Sequence, residues 1–221
     1  MQRTKIISID HGNRLIKTTN FAFSSSFIES GHIPTLGSTT LKYEGKEYAL
    51  VNKLLPQMDN KTEDDRYFIL TLFAIGQELI KDEDKFRIFH APHEVINLKL
   101  LIGLPLENCR DLGQAYVRYF KRPYPVRFEF KKRTFTVHIT EVKEYPQGLA
   151  AAYSILDKLK DSRMVNIVDV GGFTVDCARL VQLNPDPTIN ASLQYGVNVL
   201  FNNINKASRS AKGQGHSRRH D

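Results

Sequence analysis

Cysteine is nearly missing from this 221-residue chain: only Cys109 and Cys177 occur. Two thiols without metal-ligand spacing cannot form a disulfide framework or a zinc cluster, and they fit buried thiols of a cytosolic protein. No run of 18 apolar residues occurs, which argues against a membrane-spanning helix. The basic start Met1–Lys5 is followed only by Ile6 and Ile7 before polar residues return, too short for a secretory signal core. The seven histidines are scattered without metal-ligand spacing, so no tightly held transition metal is expected. No fixed-period repeat is present. A cytoplasmic protein without a membrane role is the expectation.

What is present is a globular composition, 41% hydrophobic and 25% charged, in a chain long enough for one large or two small cores. The net charge is +7, of which Lys206–Asp221 contributes +4. The basic balance therefore belongs largely to the tail. Direct nucleic-acid contact is expected only there, weak and steeply salt-dependent. From Lys206 onward no large apolar residue occurs, so composition predicts disorder.

Two segments share one pattern. Ile6-Ile7 leads to Asp10-His11-Gly12-Asn13 and then to Leu15–Thr19. Val165–Ile167 leads to Asp169-Val170-Gly171-Gly172 and then to Thr174–Ala178. Each reads as a strand, an acidic glycine turn and a second strand. Such turns present backbone N–H groups that can cradle phosphate, and an Asp at the mouth can hold Mg²⁺ through water. A lone Asp-x-Gly after a strand is more often a simple hairpin turn. The pair, with Lys17 four residues after Asn13, is more specific.

Between them, Leu41–Tyr43 and Glu47–Val51 flank a turn at Glu44-Gly45-Lys46. Thr62, followed by Glu63-Asp64-Asp65, predicts a helix start, and Tyr67–Ile80 a helix apolar on most faces and therefore buried. Leu98–Leu104 reads as a buried strand. Leu112, Ala115, Tyr116 and Tyr119 mark a helix face. Val126–Phe130 and Phe135–Ile139 alternate as a half-buried hairpin joined at Lys132-Arg133. Tyr145–Gly148 opens a helix toward Ser162. A loop is predicted over Asn184–Pro187 and a helix over Tyr195–Ile204. Residues 21–38 give no clear pattern.

These motifs resemble the actin-like ATPase superfamily, most closely the ParM/StbA-type plasmid-segregation actins. Ile9–Lys17 resembles the first phosphate loop, Leu101–Pro105 the strand after the first long helix, Tyr145–Gly148 the first connecting segment, and Val168–Asp176 the second phosphate loop. Gly196-Val197 with Asn202–Ile204 resembles the helix that follows. The resemblance spans residues 5–205. It implies an α/β, ribonuclease H-like fold: a mixed sheet with flanking helices and an incomplete second domain. Expected divisions are domain I over 1–145, a connecting helix over 146–163, partial domain II over 164–205, and the disordered basic tail over 206–221.

Carried over by position, Asp10 and Asp169 would orient the Mg²⁺ hydration shell, and Gln147 would position the attacking water, making these three the catalytic set. Gly12, Asn13 and Lys17 would hold phosphates on one side, with Asp10. Gly171, Gly172 and Thr174 would hold the other side, with Asp169. The implied cofactors are ATP and Mg²⁺. The implied function is ATP-dependent filament formation in plasmid or DNA segregation, with self-association or a related actin-like subunit and a DNA-bound adaptor as partners. The resemblance lacks the remainder of the second domain, so the 164–204 unit is expected to lack packing partners and to be poorly stable or to associate. Two alternatives remain: a non-catalytic interaction module that caps filaments, and a small-molecule kinase of the same superfamily.

Overall fold

The computed structural model describes residues 4–29, 38–53, 60–86, 89–104 and 106–215, with side chains of 106–111, 187, 190 and 211–215 excepted. Pro105 of the predicted strand motif, part of the 21–38 stretch, the Cys109 side chain and tail residues 216–221 therefore lie outside the description. The chain divides into two units, Met1–Ala150 and Ala151–Asp221.

The first unit begins with β1 (Thr4–His11), β2 (Leu15–Thr18), β3 (Ala22–Ser24) and β4 (Phe27–Glu29), then β5 (Thr40–Tyr43) and β6 (Lys46–Leu50). Helix α1 (Arg66–Phe86), strand β7 (Val95–Leu104), helix α2 (Leu106–Phe120), and strands β8 (Val126–Phe130) and β9 (Arg133–Pro146) follow. Nine strands form one sheet in the order β3-β2-β1-β7-β9-β8-β5-β6-β4. The sheet is mixed: β1–β7 and β7–β9 are parallel, and the other pairs are antiparallel.

The core follows from the strand period of two. Ile7, Ile9 and His11 of β1 are buried, whereas Ser8 is exposed and Asp10 half-buried. In β7 the alternate residues Ile96, Leu98, Leu100, Ile102 and Leu104 are buried. The uninterrupted apolar run Leu98–Leu104 is thus buried mainly on one face, with Leu101 and Gly103 only half-buried on the other. A bulge between β7 and β9 is closed by the Thr140 hydroxyl, which donates to the Leu98 carbonyl at 3.0 Å.

Helix α1 is buried along Tyr67–Gly76, as its apolar run predicts. A Cβ at Gly76 would come within 2.5–2.9 Å of the Phe130 side chain, so glycine permits this approach. Thr62 does not cap the helix: its hydroxyl bonds Asn60, and Asp64 accepts the Arg66 N–H at 2.8 Å. The Tyr119 hydroxyl ties α2 to this helix start, accepting from Phe68 N–H and donating to the Asp64 carbonyl. Burial raises its pKa, consistent with a retained proton.

The β8–β9 turn falls at Lys131-Lys132, one residue earlier than alternation suggests, with both φ positive at 48° and 64°. The β5–β6 turn uses the same conformation at Glu44-Gly45, φ 49° and 77°. Paired positive φ values match the right-handed twist of two-residue hairpins. Strands β3 and β4 arise where sequence gave no pattern; each is three residues long, too short to show a period.

The second unit contains most of α3 (Leu149–Tyr153), then α4 (Leu156–Leu159), strands β10 (Met164–Val170), β11 (Val175–Val181) and β12 (Asn184–Leu193), and helix α5 (Val197–Gly215). Two short helices thus stand where one connecting helix was expected. The three strands form an antiparallel sheet in chain order. The predicted 184–187 loop is instead the start of β12. The turn lies at Gln182-Leu183, both with positive φ, and Pro185 pairs with Leu180. Proline is tolerated because β12 is an edge strand, where a missing N–H leaves no central ladder bond unmade.

Helix α5 continues ten residues past Asn205, through part of the stretch where composition predicts disorder. Ala, Lys and Arg are strong helix formers, which favours continuation without burial. Residues 206–210 are exposed, so this part of the extension adds nothing to a core. Cys177 is a free, half-buried thiol rather than a buried one.

Candidate functional site

In the first unit the predicted residues meet at the C-terminal end of β1. Asp10 pairs across the sheet with Lys17 of β2 on one side and Gly103 of β7 on the other. Lys17 Nζ lies 3.1 Å from Asp10 Oδ2. Gln147, 137 positions away, donates from Nε2 to Asp10 Oδ1 at 2.6 Å and to the Gly103 carbonyl at 3.2 Å. Its backbone N–H donates to the Leu104 carbonyl at 2.7 Å, extending the β7–β9 ladder past Pro146. The Asp10 carboxylate is therefore held by an amide on one oxygen and an ammonium on the other. The Gln147 Oε1 carbonyl is left as an acceptor.

Two glycines shape the site here. A Cβ at Gly12 would stand 2.7 Å from the Leu15 carbonyl oxygen, so the β1–β2 turn closes only without one. A Cβ at Gly103 would meet the Gln147 side chain at 3.1 Å, so glycine lets that side chain lie across β7.

The loop is braced from beneath. His11 is not a turn residue but the buried end of β1, stacked on Phe120 at 4.9 Å. The Thr71 hydroxyl donates to the Tyr67 carbonyl, so it accepts from His11 Nε2–H at 2.8 Å. That leaves buried Nδ1 as an acceptor without a partner. A second proton would create a buried cation near Lys61, whose ammonium donates to the His11 carbonyl. Burial first, and Lys61 second, push the His11 pKa down to about 3. Asn13 is fixed twice: its side-chain oxygen accepts from the Tyr67 hydroxyl at 3.2 Å, and its carbonyl from Ser25 Oγ at 2.6 Å. Lys61, Tyr67, Ser25 and Gly103 carry no local signal for this role, because their partners lie 12 to 54 positions away.

In the second unit, Asp169 of β10 pairs with Asp176 of β11. The Gly171 N–H donates to the Thr174 carbonyl at 2.8 Å, closing the turn, and Thr174 Oγ1 donates to Asp176 Oδ2 at 3.1 Å. The carbonyls of Gly171, Gly172 and Phe173 accept from the backbone N–H groups of Val197, Asn198 and Gly196 at 2.8–3.0 Å. The start of α5 is thus spent on holding this turn. A Cβ at Gly196 would lie 2.4–2.6 Å from backbone atoms of Gly172 and Phe173, so only glycine fits the junction.

Mg²⁺ fits these residues only indirectly. Among the described residues no group of three His, Cys, Asp or Glu side chains could form a metal cage. Both Asp10 oxygens already face donors. A carboxylate so engaged suits a hydrated ion brought by phosphates, as Mg²⁺ usually is.

No family model matches the chain, and no curated protein matches it either. Solved structures do. The apo pSK41 ParM protein superposes with a TM-score of 0.66 at 14% identity, covering 87% of this chain and 67% of that one. An archaeal actin homologue in complex with ADP gives 0.66 at 19% identity, covering 87% and 61%. The AlfA filament from a Bacillus subtilis plasmid gives 0.59 at 16% identity, covering 86% and 72%. The chain therefore spans roughly two thirds of the length of these proteins. The mixed sheet, the flanking helices and these superpositions together show that the chain has the actin-like fold, with ParM-type and archaeal actin proteins as its structural neighbours.

Proposed function

We propose that this chain is an actin-like nucleotide-binding protein of the ParM type, built for ATP-dependent filament formation in plasmid or DNA segregation. The observation that carries the reading is the Lys17–Asp10–Gln147 cluster at the end of β1, beside a turn that only Gly12 can close. An ADP complex and a filament among the structural neighbours support nucleotide binding and self-association. The same neighbours favour this reading over a small-molecule kinase or a filament-capping module.

In this reading Lys17 offsets phosphate charge, and Gly12 and Asn13 present backbone amides. Asp10 and Asp169 would each offer a carboxylate to the hydration shell of a bound Mg²⁺. Gln147, anchored through its amide nitrogen, offers its carbonyl to the attacking water. Gly171, Gly172 and Thr174 supply the second phosphate turn. Bound Mg²⁺ would neutralise charge on the phosphates, the main demand of phosphoryl transfer. A DNA-bound adaptor and a cytoplasmic site of action complete the proposal.

Calorimetry with Mg²⁺-ATP tests it, comparing the chain with the Asp10→Ala, Asp169→Ala double variant. Saturable binding that the variant loses is the expected result. Absence of binding at millimolar ATP would overturn the nucleotide reading for this chain.

A further inference from the structure

The two sheets end differently. In the first unit β1 has β2 on one side and β7 on the other, and the sheet stops at β3 and β4, strands of three residues each. In the second unit the matching strand, β10, pairs with β11 alone, so its other edge has no strand beside it among the described residues. The far edge of that sheet, β12, is blunted by Pro185 and Pro187. Strand β10 has no such protection. It is seven residues long, without proline or lysine, and Asp169 is its single charge. The direction of its main-chain groups follows from its two ends. The Arg163 carbonyl accepts from Gln182 N–H at 3.0 Å, and Gly171 N–H donates to the Thr174 carbonyl at 2.8 Å. Odd-numbered residues thus turn their N–H and C=O groups toward β11. Alternation turns those of Met164, Asn166, Val168 and Val170 toward the open edge.

We propose that a second copy of this chain fills that edge, β10 against β10, antiparallel about a twofold axis at Ile167. This register sets Met164 opposite the partner's Val170 and Asn166 opposite the partner's Val168. All four outward-facing residues of each strand are then used, and they exchange about eight main-chain hydrogen bonds. The charges suit the same register. Asp169 stands opposite the partner's Val165, so no two carboxylates meet. The exposed Arg163, one residue before β10, lies diagonal to the partner's Asp169, within reach of a long side chain, and the twofold axis makes this contact twice. Pairing joins two three-stranded sheets into one of six strands, whose outer edges are the two proline-bearing β12 strands. Association therefore closes at two copies instead of growing. The Val168 side chain stays on the solvent face of the sheet. This dimer needs no nucleotide, unlike the filament proposed above, and it does not depend on that reading.

Sedimentation equilibrium of the full chain without nucleotide, from micromolar to millimolar concentration, tests the dimer, with amide hydrogen exchange alongside. A monomer–dimer equilibrium is expected. The amides of Asn166, Val168 and Val170 should exchange more slowly as the dimer fills, whereas those of Val165, Ile167 and Asp169 are protected by β11 throughout. Val168→Pro removes an outward N–H and leaves the β10–β11 ladder intact, so it should weaken the dimer about tenfold or more. Arg163→Asp should weaken it too, and Arg163→Asp combined with Asp169→Arg should restore it, which a change in fold stability alone would not do. Should Val168→Pro fail to fold, this charge exchange still decides. A monomer at every concentration would leave the edge to a strand of another protein and overturn the proposal. A dimer that neither variant weakens, or assembly that continues beyond two copies, would overturn it as well. Growth that requires Mg²⁺-ATP would do the same while favouring the filament reading. A dimer that forms in a chain unable to bind ATP would bear out the edge pairing and sink only the nucleotide reading.

Discussion

The two strand–turn–strand units look alike in sequence and are packed very differently. In the first, β1 sends Ile7 and Ile9 into a continuous core shared with α1, α2 and strands β2, β5, β6, β7, β8 and β9, and His11 is buried against Phe120. In the second, β10 alternates between half-buried and exposed, with Val168 61% and Val170 57% exposed. Among the described residues, the buried hydrophobics of the second unit are Ala152, Ala178 and Leu180. Leu200, Phe201 and Ile204 of α5 are also exposed. A turn can thus be set by local glycine chemistry in either setting, but only the first rests on a core that fixes the side chains around it.

The largest expected contrast comes from removing a core aromatic. Phe130 is fully buried and meets Phe73 edge-on at 6.1 Å. Phe130→Ala should destabilise the first unit by about 3–5 kcal/mol, through lost burial and the cavity left behind. Urea denaturation followed by far-UV dichroism would read this as a lower midpoint. A loss below about 1 kcal/mol would mean that the core collapses around the gap.

A second test uses pH. His11 is neutral when folded, with its pKa depressed to about 3, whereas an unfolded histidine titrates near 6.5. Below the unfolded pKa the unfolded chain binds a proton that the folded chain refuses. This contribution is therefore fully present above about pH 6.5 and is lost as pH falls toward 3. Its slope approaches about 1.4 kcal/mol per pH unit between those limits. Comparing unfolding free energies at pH 7 and pH 5 in the wild type and in His11→Asn isolates it, since the variant should show the shallower dependence.

The smallest effect is expected on the exposed sheet. Val168→Thr keeps the β-branched shape and changes a side chain that faces solvent. Stability should move by no more than about 0.5 kcal/mol. A clearly larger loss, measured by the same denaturation, would show that the Val168 face is covered in solution and would blur the contrast between the units.

Much of the architecture was legible because it repeats local rules. The buried α1 announces itself by ten nearly unbroken apolar residues, and the β8–β9 hairpin by strict alternation of Val126, Phe128 and Phe130 with charges. Misreadings fell where a local rule is ambiguous. Pro185 and Pro187 suggest a loop, yet an edge strand accepts proline, and Gln182-Leu183 adopt positive φ without glycine to advertise it. Thr62 resembles a helix cap, but Asn60 holds its hydroxyl.

The candidate site divides along the same line. The sequence alone determined the two acidic glycine turns and the spacing from Asp10 to Lys17, since both depend on neighbours in the chain and on the two-residue period of a strand. The tertiary structure decided that Gln147 reaches Asp10 across 137 positions and that Gly103 makes room for it. It also decided that His11 is a buried neutral brace and that the Ser25 and Ser26 hydroxyls donate to the Asn13 and Lys53 carbonyls. Those contacts depend on sheet order and on helix docking, which arise from burial summed over the whole first unit rather than from any short stretch of residues.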